Sequence, residues 1–168
     1  VFVYQSFIAD SKMWAVYTIP KAFMVYSITS IITLFLAGFL VDKFTGRKLI
    51  LIMNIPLLLA MLVLLNFNSE IYAYVFLGFI GISNGLANIL GSSTWAEIYG
   101  VKYIGSIKAL TTAFMVFSTA FGTAIFGLLI DKGHSIEDIA LVGATYIVVS
   151  LILLILFRKT LEPIKLAN

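Results

Sequence analysis

Leu49-Ile50-Leu51-Ile52-Met53-Asn54-Ile55-Pro56-Leu57-Leu58-Leu59-Ala60-Met61-Leu62-Val63-Leu64-Leu65-Asn66-Phe67 runs without a single charged side chain. A helix of roughly 20 predominantly apolar residues crosses the hydrocarbon core of a bilayer. Four more stretches have the same character: 22–41, 72–93, 107–130 and 139–157. Lys108 is the one charged residue inside any of the five, and it lies near an end. A sixth apolar run, 1–9, is too short to span and reads as the tail of a truncated span. The breaks between the runs are short and carry the charges and turn formers. No linker separates two domains, so 1–168 reads as one all-α integral membrane bundle.

Composition agrees with this reading. Of 168 residues, 61% are hydrophobic and 11% charged. Soluble domains are about a quarter charged and no more than about half apolar. The chain has no cysteine, which removes disulfides and thiolate metal sites, and its single histidine, His134, has no histidine partner. No metal or other cofactor is expected. The net charge of +3 is spread over separate short loops and forms no stripe, so nucleic acid is not an expected partner. The sequence offers no nucleophile and base pair, and no phosphate-binding glycine loop after a strand, so an enzyme is not expected. The first residues lack a basic n-region and a small-residue cleavage site. Because the chain starts at Val1 rather than Met, a fragment or processed chain is expected.

The charges set an orientation. Lys43, Arg47, Lys48, Lys102, Lys108, Arg158, Lys159 and Lys165 fall on one side of the membrane, against Lys12, Lys21 and Lys132 on the other. The positive-inside rule makes the first side, with the C-terminus, cytoplasmic. Trp14 and Tyr17 then sit at the outer interface, and Trp95, Tyr99 and Tyr103 at the inner one. Glu70, Asp131, Glu137 and Asp138 read as solvated loop residues.

The five spans are not alike. Those at 49–67 and 139–157 are Leu, Ile, Val and Met nearly all round, which suits lipid. The other three carry polar and small residues at helical spacing: Tyr26, Ser30, Thr33 and Ala37; Gly81, Gly85, Asn88 and Ser92 with Asn84 beside them; Met115, Ser118 and Gly122 beside Thr112, Thr119 and Thr123. Polar groups in hydrocarbon are costly, so these stripes should face protein or a water-filled cavity. Tyr26, Ser30, Asn84, Asn88, Met115 and Ser118 are expected to converge near mid-bilayer, with Tyr4 and Gln5 lining the outer part. The competing explanation is close helix packing through small residues and hydroxyls, which outweighs ligand contact for any single Ser or Thr. The two asparagines are more evenly balanced, because an amide has more hydrogen-bonding groups to satisfy.

Gly38-Phe39-Leu40-Val41-Asp42-Lys43 ends the first full span, and Gly127-Leu128-Leu129-Ile130-Asp131-Lys132 ends the fourth. Each is followed by an apolar helix of little polarity. The offset of three helices inverts the second copy in the membrane, giving a three-plus-three inverted repeat. Such repeats are characteristic of secondary transporters.

With the loop from Gly38 to Lys48, the chain resembles the C-terminal half of a major facilitator superfamily transporter. The family's signature is G-x-L-x-D-R/K-x-G-R/K-R/K, and this loop departs from it by placing two residues, not one, between Lys43 and Gly46. Trp95-Ala96-Glu97-Ile98-Tyr99-Gly100, continuing to Lys108, is similar to the loop between the tenth and eleventh helices of many bacterial members. The resemblance covers the whole chain, as the end of helix seven through helix twelve: a six-helix half-bundle with its first helix truncated. It leans toward prokaryotic carboxylate-type facilitators and so implies a prokaryotic cytoplasmic membrane. It also implies secondary transport of a small solute by alternating access, with the bilayer and the missing N-terminal half as partners. Gly38, Asp42, Lys43, Gly46, Arg47, Lys48 and Glu97 would form a cytoplasmic gating loop that latches the two halves together. A purely topological role for Lys43, Arg47 and Lys48 is the competing explanation. An organic anion as solute would need a cation from outside this chain, since Lys108 lies too near the membrane surface. A non-transporting assembly or sensor subunit is the alternative; it would need no polar lining.

Overall fold

The computed structural model describes residues 3–157. Val1 and Phe2, and the basic tail residues Arg158, Lys159 and Lys165, lie outside the described residues. Seven α-helices follow one another: α1 Gln5–Ser11, α2 Thr18–Phe44, α3 Gly46–Leu49, α4 Ile55–Asn66, α5 Ile71–Tyr99, α6 Ile104–Asp131 and α7 Ile136–Leu156. Five helical segments are long and apolar enough to cross a membrane, counting α3 and α4 with the turn between them as one.

The expected single helix over 49–67 is interrupted. A 3-10 turn, Ile50–Ile52, links α3 to α4, and Pro56 sits in the first turn of α4. Proline has no backbone N–H, so a helix running straight through would lose a bond to the carbonyl four residues back. Placing Pro56 where first-turn N–H groups are unpaired anyway removes that loss. At the other boundaries the helices outrun the apolar stretches. Helix α5 continues to Tyr99, so Glu97 belongs to its last turn and not to a loop. Helix α6 begins at Ile104, so Lys108 sits one turn inside it.

Helix α5 is the axis of the bundle. Twelve of its 29 residues are buried, with Phe76, Leu77 and Leu90 among the most enclosed side chains. Two glycines let it approach α2 at backbone distance. A Cβ on Gly85 would come within 2.7 Å of the Ser30 carbonyl oxygen, and one on Gly81 within 2.5 Å of the Tyr26 carbonyl. No side chain fits there, which is why small residues recur on this face. Helices α4 and α7 pack on each other and α4 also packs on α5, with Ala60 and Ala140 at almost no exposure.

Helix α6 departs from expectation. Its polar stripe predicted an interior helix, yet none of its 28 residues is buried within this chain. Part of its polarity needs no neighbour. The Thr111 hydroxyl donates to the Ile107 carbonyl and Thr119 to Met115, each one turn back on the same helix. Large apolar side chains stand exposed along α2 and α6, among them Phe35, Phe39, Phe114 and Phe117. An apolar surface this extensive is stable only in lipid or under a partner.

Candidate functional site

At the face of the bundle carrying Arg47, α2 ends and the chain turns sharply into α3. Thr45 makes that turn with φ 70° and ψ 143°. This is backbone that a β-branched residue rarely adopts and that glycine tolerates. The second copy of the G-x-x-x-D-K pattern makes its positive-φ turn at Gly133, φ 80°. Past Thr45, the Gly46 N–H donates to Glu97 Oε1 at 2.5 Å, and the Arg47 N–H and Nε donate to Glu97 Oε2 at 3.2 and 3.3 Å. One carboxylate on α5 therefore receives three donors from the first two residues of α3. Gly46 is buried against Ser93 and Thr94, and the Thr94 hydroxyl is buried without a hydrogen-bond partner among the described residues.

Of the seven loop residues picked out from the sequence, the structure brings Gly46, Arg47 and Glu97 together. Asp42 and Lys48 are exposed, Lys43 lies over the ring of Phe44, and Gly38 has open space around it. The extra residue before Gly46 has a visible consequence: it puts a threonine at the turn that demands left-handed backbone.

The polar residues inside the bundle form a short ladder on α2 and α5. Asn84 Nδ2 donates to Ser30 Oγ at 3.1 Å, and Asn88 Nδ2 donates to the Asn84 carbonyl at 2.8 Å. Asn84, Ser30 and Tyr26 are half-buried; Asn88 is exposed. Met115 and Ser118 stand exposed on α6. Tyr4 reaches α6 at a different height, where its hydroxyl donates to the Thr123 carbonyl at 2.6 Å beside Gly127; Gln5 is half-buried on the next residue.

A cavity of about 490 Å³ lies between α1, α4, α6 and α7, lined by Phe7, Ile8, Leu64, Ile136 and Ala140 among other, mostly apolar, residues. Tyr4 is the one candidate solute residue that borders it.

The opposite face holds a cluster that sequence reasoning missed. Lys12 is buried, and its ammonium donates to Asn68 Oδ1 and Glu137 Oε1, both at 2.7 Å. Trp14, expected at an interface, is buried too, and its indole N–H donates to the Asn68 carbonyl at 2.6 Å. Glu70 accepts from the Ala15 N–H and the Thr18 hydroxyl. Asp138 closes a capping box with Ser135 at the start of α7. Glu70, Glu137 and Asp138 are thus bonded to the protein rather than merely solvated, although their outer edges remain exposed. Apart from the capping box, no local pattern announces this, because the partners of Lys12 come from the α4–α5 connection and the first turn of α7.

A helical bundle with five segments long and apolar enough to cross a membrane, and with an extensive exposed apolar surface, is a multi-pass membrane protein. Residues 1–167 match the model of the Major Facilitator Superfamily, and the chain belongs to that family. It is a membrane transporter of the major facilitator type, and the family's members are transporters, not enzymes. No curated protein matches the chain, and no solved structure matches it.

Proposed function

We propose that the chain is the C-terminal half of a secondary transporter that carries a small solute by alternating access, with the Arg47 face toward the cytoplasm. The observation that carries this reading is the three-donor grip of Glu97 on the α2–α3 turn. A carboxylate held in this way clamps the ends of α2 and α5, the two helices that also bear the asparagine ladder. Asp42, Lys43 and Lys48 flank the grip in sequence and leave exposed charge for the missing N-terminal half to engage, with Gly38 one turn earlier on α2. The eight-to-three division of Lys and Arg supports the orientation.

The solute would meet Tyr26, Ser30, Asn84 and Asn88 from α2 and α5, Met115 and Ser118 from α6, and Tyr4 and Gln5 toward the outside. The bare apolar faces of α2 and α6 suit contact with the other half. These groups are neutral, so an organic anion would draw its counter-charge from that half.

Asn84 is the residue to test. In the full-length protein, uptake is measured for whichever of a panel of radiolabelled small solutes it carries. Asn84→Leu should lower uptake about tenfold, the equivalent of one lost hydrogen bond, at an unchanged amount in the membrane. If membrane abundance falls in step with uptake, Asn84 is a packing residue and the cavity assignment fails.

A further inference from the structure

Lys12 is the one charged side chain that is buried among the described residues; its side chain is 1% exposed, against 48% for Glu137. An ammonium withdrawn from water is tolerated only when paired and hydrogen-bonded. Lys12 has one ionic and one neutral acceptor, and the two come from different places: Asn68 from the α4–α5 connection and Glu137 from the first turn of α7. Lys12 itself belongs to the α1–α2 connection. Trp14 repeats the bridge to Asn68 through the backbone, and Glu70 returns it through Ala15 and Thr18. Directly beneath lie Ile8, Leu64, Ile136 and Ala140, which are core residues and also line the apolar cavity.

We propose that Lys12 locks three corners of the bundle into a single unit that roofs this cavity, so that α1, α4 and α7 open to water on that face together or not at all. Separate corners would each fray at their own low cost, as loop ends ordinarily do. A shared buried charge couples them: displacing any corner strips the ammonium of a partner while the rest of the site still encloses it. The lock stands apart from the transport reading, since it concerns the opposite face and is read by chemistry alone.

The test uses labelling rates. The sequence has no cysteine, so a single reporter can be read once any elsewhere in the protein are replaced. Ile8→Cys, Leu64→Cys and Ala140→Cys each place a buried thiol under one corner. The full-length protein in nanodiscs meets a water-soluble maleimide from both faces. Lys12→Met should accelerate labelling at all three positions in parallel, by about tenfold or more. Adding Glu137→Leu to Lys12→Met should accelerate it no further, because the interaction is already gone. Acceleration confined to Ile8→Cys, or none at any position, would overturn the proposal. Should Lys12→Met not accumulate, Asn68→Ala and Glu137→Gln each remove one arm and must show the same three-position pattern to a lesser degree.

Discussion

The two ends of this bundle each carry one lysine or arginine paired with one glutamate, and they use the pair in opposite ways. At the Arg47 face the ion pair is about a quarter exposed on both sides, 28% and 25%. There the carboxylate spends itself mainly on backbone N–H groups and holds the path of one tight turn. At the Lys12 face the cation is buried and its bonds run to side chains, holding three separate corners in register. The first arrangement depends on the acceptor and on little else about the turn's side chains. The second depends on the identity of every partner. An interaction that spans distant elements constrains how they move relative to one another, whereas one that grips a local turn constrains only its conformation.

Glu97→Ala is the strongest way to break this contrast. Losing a carboxylate that serves three donors, one of them on buried Gly46, should destabilise the protein by about 3 kcal/mol. Arg47→Met, which spares both backbone bonds, should cost well under half of that. Reversible unfolding in mixed micelles measures both; equal losses would mean that the side-chain ion pair, and not the turn, is what Glu97 holds.

At the other face, Asn68→Ala removes the neutral acceptor of Lys12 while leaving the carbonyl that Trp14 uses. It should cost about 2 kcal/mol in the same assay, as for a hydrogen bond to a charged group. A loss near zero would show that Glu137 alone satisfies the ammonium.

The smallest effect carries the opposite sign. Thr45→Gly releases a side chain from backbone that costs about 1 to 3 kcal/mol to hold, less the extra chain entropy glycine brings to the unfolded state. A net stabilisation of about 1 kcal/mol is expected. Destabilisation would mean that the threonine side chain contributes contacts worth more than the strain.

Much of this molecule follows from composition and period. Uncharged runs long enough to cross a bilayer can only be helices, because lipid offers no partner for an open backbone group. The apolar spans were therefore legible, and the signature pattern singled out Gly46 and Arg47; Glu97 came from a separate stretch, and its place in the last turn of α5 was not legible. The break before Pro56 was missed when 49–67 was read as one span, although a proline within a helical run has only the first turn as a comfortable place.

What the sequence left open are the questions of which side a helix turns and what it meets. The stripes on α5 and α6 look alike, yet α5 is the axis and α6 has no buried residue in this chain. Hydroxyls that bond back to their own helix satisfy themselves in either place, so a run of Ser and Thr does not specify a neighbour. Only glycines pressed against another backbone, as Gly81 and Gly85 are against α2, identify a packed face, and that requires both helices in place. The Lys12 cluster was beyond local reading for the same reason. A lysine followed by Met13 and Trp14 looks like an interfacial anchor until Asn68 and Glu137, drawn from positions 56 and 125 residues away, close around it. Length and hydropathy determined that the described residues hold five helical segments able to cross a membrane, because backbone hydrogen bonding in lipid is a local requirement. The burial of one charge and the exposure of a whole helix were decided by tertiary structure, because both depend on which distant surfaces come together.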